Sequence, residues 1–418
     1  MEIDQRRLRD DLETTASFGA IDADDGHGRT VLTGTEADQQ ARDYLCERLQ
    51  EAGLEVRIDA VGTIVGRWTP ASAEPDAAPI AAGSHLDSVP AGGIFDGPLG
   101  VYAALEAVRT LQETERALDR PIEVVSFTEE EGTRFGALLG SSVAVGERSP
   151  ATALERTAAD GTTLEDALIE IGYHGDATID AAAWDAWLEL HIEQGRRLER
   201  AGTPVGIVSA ITGILHLDVR IDGEANHAGT TPMAYRTDPL PAAAELVLAV
   251  EDAATDLLAE SDSVVGTVGR LEVTPNATNV VPGTTRLGID IRDVTAATMT
   301  AVRQRVEETL ARLERERGVE TTLRETVAID PVPMASRCQE ALHRSAEHTG
   351  IDAPTLHSGA GHDSMHVAAV TDAGMLFAPS KAGLSHSPAE WTDWDDCAQA
   401  TAVLATALAD LATGSPAD

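Results

Sequence analysis

Residues 121–132 read PIEVVSFTEEEG, and residues 79–87 read PIAAGSHLD. Each opens on a proline, runs through a short apolar stretch and breaks off into polar residues. A short apolar run bounded in this way reads as a buried strand. Between the two, Pro98 to Leu111 has a helical pattern. Strand, helix, strand with polar residues at the strand ends is α/β logic, and ligands in open α/β sheets sit outside the carboxyl ends of the strands. Upstream, Thr35 caps a helix whose residues Ala37, Ala41, Leu45, Leu49 and Ala52 share one face, and Gly53 ends it. Leu54 to Ile58 alternates as a strand, and Trp68 to Pro79 reads as a surface loop.

The texture changes near Gly213. Leu215–Asp222 alternates as a strand, Pro239–Glu260 is an Ala/Leu-rich helix, and Val264–Val273 and Thr284–Arg292 read as strands. A charged helix over Thr295–Arg317 and a strand over Val319–Val327 complete a β-α-β-β-α-β order, which is a ferredoxin-like layout. After Asp330-Pro331 the α/β texture returns, with Gly374–Phe377 leading to another polar cluster. The expected fold class is therefore α/β: a discontinuous α/β domain, residues 1–212 and 330–418, interrupted by an α+β ferredoxin-like insert over 213–329. A length of 418 residues, at ~150 per domain, agrees with two or three domains.

Composition narrows the function. With 31 Lys+Arg against 70 Asp+Glu the formal net charge is −39, while 43 % hydrophobic residues suffice for real cores. A surface this negative repels phosphate, which argues against nucleic acid as a partner. Lys381 is the only lysine. Acid excess with almost no lysine fits a salt-rich cytosol, where dense carboxylates stay hydrated and counter-ions screen their repulsion. Cys46, Cys338 and Cys397 are scattered, which is neither a disulfide framework nor a zinc knuckle. The segment MEIDQRRLRDDLE has no apolar core of a signal peptide, and no stretch approaches the ~18 apolar residues of a membrane span. The expectation is a soluble, cytoplasmic protein with no membrane partner.

Five polar clusters follow the apolar segments: HLD at 85–87, GIFDG at 93–97, EEEG at 129–132, ELHIEQG at 189–195 and LSHSP at 384–388. Histidines and carboxylates at strand ends are what a divalent metal site needs, and imidazole with carboxylate suits zinc or manganese. Asp87, two residues after His85, is placed to hold that imidazole's tautomer from behind. Taken singly, a histidine after a strand is usually structural and an acidic triplet is usually a solvated face. The joint occurrence carries the metal reading. The residues alone do not choose among Glu129, Glu130 and Glu131. No GxGxxG or GxxxxGK[ST] motif is present, so nucleotide binding is discarded.

The strings GSHLDSVPAGGIFDGPLGV, FTEEEGTRFG, LELHIEQG, EANHAGTTPM, NATNVVPG with DIR, and GLSHSPAEW resemble the hydantoinase/carbamoylase branch of the M20-like amidohydrolases. That group includes N-carbamoyl-L-amino acid hydrolases, β-ureidopropionases and allantoate amidohydrolases. The resemblance implies that His85 and His191 bind one metal, that Asp96 bridges to a second, and that Glu131 and His386 complete the second site. It makes Glu130 the general base, with Glu130 as a further metal ligand the competing role. Two divalent ions are implied, Zn2+ or Mn2+, with Co2+ or Ni2+ also suited to these ligands. Two cations sharing a carboxylate lower the pKa of a trapped water, and a neighbouring carboxylate can carry its proton.

The resemblance also implies the substrate side. Gln194, His227, Asn279 and Arg292 match positions that hold the substrate's carboxylate and carbonyl, and Gly359 and Gly361 lie in a loop whose backbone touches it. Arg292 suits a bidentate carboxylate clamp, and His227 and Asn279 suit an oxyanion. As ordinary structural residues, His227 would cap a turn and Arg292 would be a strand cation. The resemblance further implies that 1–212 and 330–418 form the catalytic domain and the insert a lid and dimerisation domain: in the family the inserts pair to form a homodimer, and some of these groups reach the active site from the partner subunit. The implied reaction is hydrolysis of the C–N bond of a carbamoyl or ureido group on a small carboxylate, an N-carbamoyl-L-amino acid or N-carbamoyl-β-alanine, releasing ammonia and CO2. Allantoate hydrolysis and an aminoacylase-like activity are the alternatives among enzymes, and a non-catalytic metal-binding scaffold is the alternative outside them.

Overall fold

The computed structural model of the chain describes residues 1–23 and 27–413. Residues 414–418, assigned above to the second catalytic segment, lie outside the described residues. The chain divides into two units. The larger comprises 1–209, 334–356 and 361–418, and the smaller comprises 210–333 with 357–360.

The larger unit is built on α1 (Gln5–Ala16), α2 (Glu36–Glu51), β1 (Glu55–Ile58), β2 (Ile64–Trp68), β3 (Ile80–His85), α3 (Pro98–Gln112), β4 (Ile122–Phe127), β5 (Ala186–Ile192) and β6 (Gly206–Ile211). Thr35 caps α2 through its side chain, which accepts from the Asp38 N–H. Seven strands of its sheet follow the order β6-β13-β5-β3-β4-β2-β1, where β13 (Asp372–Ala378) comes from the returning chain, and the short strands Val332–Pro333 and Thr355–Ser358 pair with β6. Its four central strands, β13, β5, β3 and β4, run parallel, and the flanking strands are antiparallel. All four are mostly apolar and buried almost throughout, as a sheet covered on both faces requires. Helix α3, buried along almost its whole length, packs on the sheet beside the C-terminal helix Trp394–Ala412.

The smaller unit contains β7 (Gly213–Asp222), β8 (Asn226–His227), α4 (Pro239–Asp256), β9 (Val265–Thr274), β10 (Val280–Val281), β11 (Thr284–Asp293), α5 (Ala296–Arg317) and β12 (Glu320–Ile329). Its antiparallel sheet has the order β9-β11-β7-β12. On β7, alternate residues Leu215, Leu217, Val219 and Ile221 are buried with apolar residues of α4 and α5, as a sheet covered on one face requires. The chain then continues into α6 (Ser336–His348), β13 and α7 (Trp394–Ala412).

Three details differ from the sequence reading. The helix expected over Pro239–Glu260 ends at Asp256, and a 3₁₀ turn covers Leu257–Ala259. Strands β8 and β10 pair as a short ladder too brief for periodicity to reveal. The unit boundaries fall near 209 and 333 rather than 212 and 329.

Candidate metal centre

The parallel strands deliver the polar clusters to one edge. His85 ends β3, His191 is the penultimate residue of β5, Glu129 to Glu131 follow β4, and His386 lies eight residues beyond β13. Asp96 sits in the loop entering α3, where Gly97 adopts φ 84°. A Cβ at Gly97 would lie 2.5 Å from the His85 ring, so only glycine fits between ring and helix.

The two oxygens of Asp96 face different partners. Oδ1 lies 3.3 Å from His191 Nε2 and 3.7 Å from His85 Nε2, while Oδ2 lies 3.7 Å from His386 Nε2. His386 Nε2 is in turn 3.2 Å from Glu131 Oε2. Two donors each bound to one ion at about 2.1 Å stand roughly 3.4 Å apart in a tetrahedral shell. The spacings therefore suit one cation among His85, His191 and Asp96, and another among Asp96, Glu131 and His386.

Imidazole orientation agrees with this use. His85 Nδ1 is 3.1 Å from the Asp87 carbonyl and His191 Nδ1 is 3.1 Å from the Ile192 carbonyl. Each Nδ1–H donates backward, which leaves each Nε2 as an acceptor facing the cluster. Among the described residues, His85 Nε2 is buried with no hydrogen-bond partner. An orphaned acceptor at that point is a costly feature unless a cation completes it.

The three glutamates separate. Glu129, in a left-handed conformation at φ 57°, turns its carboxylate to the N–H groups of Arg134 and Phe135 at 2.5 and 2.6 Å. Glu131 faces His386, and Glu130 Oε2 lies 3.7 Å from His85 Nε2. The Asp87 carboxylate accepts from the N–H groups of Glu130 and Glu131, at 3.2 and 3.1 Å, and lies 3.5 Å from His85 Nδ1. It thereby braces both arms of the cluster. Burial, reinforced by Asp363, Glu131 and Asp87 against the opposing pull of His85, holds the Glu130 carboxyl well above the usual range. Burial also works against charge on Asp96, but His191, His85 and Ser385 outweigh it and keep its carboxyl well below that range. Glu131 pushes His386 up to about 8.

Gln194, another left-handed residue, donates to Asp96 Oδ2 at 2.8 Å and to Ser385 Oγ at 3.2 Å, and Ser385 also donates to Asp96. In the smaller unit, the β8–β10 ladder sets His227 opposite Val280, and the Ala228 N–H donates to the Asn279 carbonyl. His227 does cap a turn. Its Nδ1 accepts from Gly229 and Thr230, leaving Nε2 as the protonated nitrogen of the neutral ring. Arg292 pairs with Asp290 and donates to the Gly359 carbonyl at 2.8 Å. Gly359 lies in the smaller unit and Gly361 in the larger.

Three buried groups stand outside the site residues that the sequence reading named. His362 packs edge-on to His191 with ring centroids 4.6 Å apart, and burial beside that histidine holds its pKa well below the usual value. Its only signal was its place directly after Gly361, in the GAGHD loop of residues 359–363 that was read for its backbone alone. Glu189 accepts from Ser84 and twice from Ser364, so its carboxylate is committed to tying β5 to its neighbours. Glu390 accepts from the loop that carries Asp96.

An open α/β sheet that presents histidines and carboxylates at its carboxyl edge has the donor set of a divalent-metal centre. Residues 81–410 match the model of Peptidase family M20/M25/M40, and the chain belongs to that family. It is 39 % identical over 401 residues to an N-carbamoyl-L-amino acid amidohydrolase of Geobacillus stearothermophilus, covering 95 % of this chain and 97 % of that one. A ureidoglycolate hydrolase of Arabidopsis thaliana is 36 % identical, with coverage of 98 % and 87 %. Among solved structures, a hydantoinase/carbamoylase family amidase of Burkholderia multivorans superposes with a TM-score of 0.92 at 34 % identity, covering 99 % of this chain and 98 % of that one. The chain is an enzyme of the amidohydrolase type, acting on C–N bonds outside peptides.

Proposed function

We propose that this enzyme hydrolyses the carbamoyl group of an N-carbamoyl-L-amino acid or N-carbamoyl-β-alanine at a two-metal centre. The observation that carries the proposal is Asp96, whose two oxygens face two separate sets of ligands. His85 and His191 would hold one ion, Glu131 and His386 the other, and Asp96 both. Zn2+ or Mn2+ suits this donor set, and Co2+ or Ni2+ is compatible with it. Such ions lower the pKa of water and polarise a carbonyl.

Glu130 is the proton carrier. It adjoins the cluster through His85, and a carboxylate there that holds no ion can take a proton from water and return it to the leaving nitrogen. R–NH–CO–NH2 and water give R–NH2, CO2 and NH3, with the carbamate as the species that loses CO2. His227 would donate from Nε2 to the developing oxyanion, with Asn279 beside it. Arg292, held by Asp290, would engage the substrate carboxylate with its remaining donors, and the backbone at Gly359 and Gly361 would complete the contacts. Gln194 would hold the bridging carboxylate and meet the substrate from there. We further propose a homodimer formed through the smaller unit, in a salt-rich cytoplasm.

Ammonia release from N-carbamoyl-L-amino acids, N-carbamoyl-β-alanine, allantoate and ureidoglycolate, assayed in parallel in high salt with Mn2+ or Zn2+, tests the reading. Release from a carbamoyl amino acid that EDTA abolishes is expected. Release from allantoate or ureidoglycolate alone would move the enzyme to those branches, and silence on all four would contradict the proposal.

A further inference from the structure

Two buried charges beside Asp96 have no part in the scheme above. Arg29, 0 % exposed, sends its guanidinium to main-chain carbonyls, with Nη2 donating to Leu86 at 2.8 Å and Nε to Gly93 at 3.3 Å. Glu390, 1 % exposed, accepts at Oε1 from the N–H groups of Phe95 and Asp96 at 2.8 and 3.0 Å. A guanidinium thus donates to carbonyls of the 86–96 loop, and a carboxyl oxygen accepts from its N–H groups. Burying a charge costs several kcal/mol unless its environment compensates, and here the compensation comes from the loop that carries the shared carboxylate.

The grip is tight. A Cβ at Gly93 would lie 2.1 Å from both Cδ and Oε1 of Glu390. The ring of Phe95 is held as well, with centroids 5.4 Å from Trp391 and 5.2 Å from Trp394. Residues 386–391 therefore contribute His386, the carboxylate that fixes the Asp96 backbone and an indole that fixes its neighbour.

We propose that Glu390 is a positioning residue: it sets the direction of Asp96 so that both oxygens of that carboxylate are aimed at the same time. The inference rests on the two-metal reading. Because Glu390 and His386 share one short segment, it makes the second cluster and the bridge a single mechanical piece.

Wild-type protein, Glu390→Gln and Glu390→Leu are titrated with Mn2+, with free ion and exchange coupling between bound ions read by electron paramagnetic resonance. Leucine removes the acceptor, and the second ion is expected to bind about 10–100-fold more weakly, with the coupled signal lost. In the same variant kcat falls while KM is held. Glutamine keeps an acceptor oxygen and recovers most of both losses. A leucine variant that binds two coupled ions at wild-type affinity would overturn the positioning role. Wild-type protein that binds fewer than two ions would instead overturn the two-metal reading beneath it. If circular dichroism shows the leucine variant unfolded, Gly93→Ala supplies the same test, since it drives the carboxylate off the two N–H groups and keeps the charge. Wild-type affinity and coupling in that variant would overturn the inference equally.

Discussion

Glu129, Glu130 and Glu131 follow one another in the chain and end in three environments. The left-handed backbone of Glu129 and the N–H groups of Arg134 and Phe135 turn the first carboxylate into a loop brace. The other two face His85 and His386. Neither periodicity nor composition encodes that division, because it depends on a single backbone torsion and on groups five and six residues downstream. His85, Asp96, His191, Glu131 and His386 could be named from their motifs, and the structure brings all five together. The histidine of the GAGHD segment escaped notice because its burial against His191 is a tertiary fact. Glu130→Gln keeps size and shape but cannot carry the proton. Its kcat should fall by about 10²–10⁴-fold while two Mn2+ per chain are retained in a binding titration. Loss of one ion would make Glu130 a ligand instead.

At the scale of elements, the abrupt end of each apolar strand was readable because a sheet covered on both faces demands it, and those ends carry the site. Short ladders such as Asn226–His227 with Val280–Val281 were not readable, since two residues have no period. The turn of the β1–β2 hairpin offers a test of packing. Asp59, 4 % exposed, accepts from the N–H groups of Val61 and Thr63. Burial, opposed by those hydrogen bonds and by Arg42, raises its carboxyl from 3.8 to about 6. The folded chain therefore holds this proton more tightly than the unfolded one. The stability it contributes is fully present below pH 3.8 and is lost as pH rises through about 6. A shift of that size corresponds to about 3 kcal/mol. Asp59→Asn keeps an acceptor oxygen without the charge, so its Tm should exceed wild type at pH 7–8 and match it below pH 4. Equal melting curves at pH 8 would contradict the burial argument.

Across the whole molecule, charge and connectivity dominate. The excess of 39 negative charges repels itself, and screening shortens from about 10 Å at 0.1 M salt to 3 Å at 1 M. Melting temperature should therefore climb with KCl between those concentrations, and far-UV ellipticity should fall when salt is dialysed away. Full ellipticity in salt-free buffer would contradict the salt-adapted reading. The change of texture near residue 213 and its return after 330 were visible because an alternating antiparallel sheet and continuous apolar strands have different periods. The assignment of residues 357–360 to the smaller unit was not visible, as it depends on contacts such as Arg292 with the Gly359 carbonyl. The account as a whole turns on two cations sharing Asp96 at a centre that hydrolyses a carbamoyl group. The most direct measurement is ammonia release from an N-carbamoyl-L-amino acid by metal-stripped protein, followed against equivalents of Mn2+ added per chain. Activity that stays low through the first equivalent and rises to a plateau at the second is the predicted result. Full activity at one equivalent, or activity indifferent to metal, would contradict it.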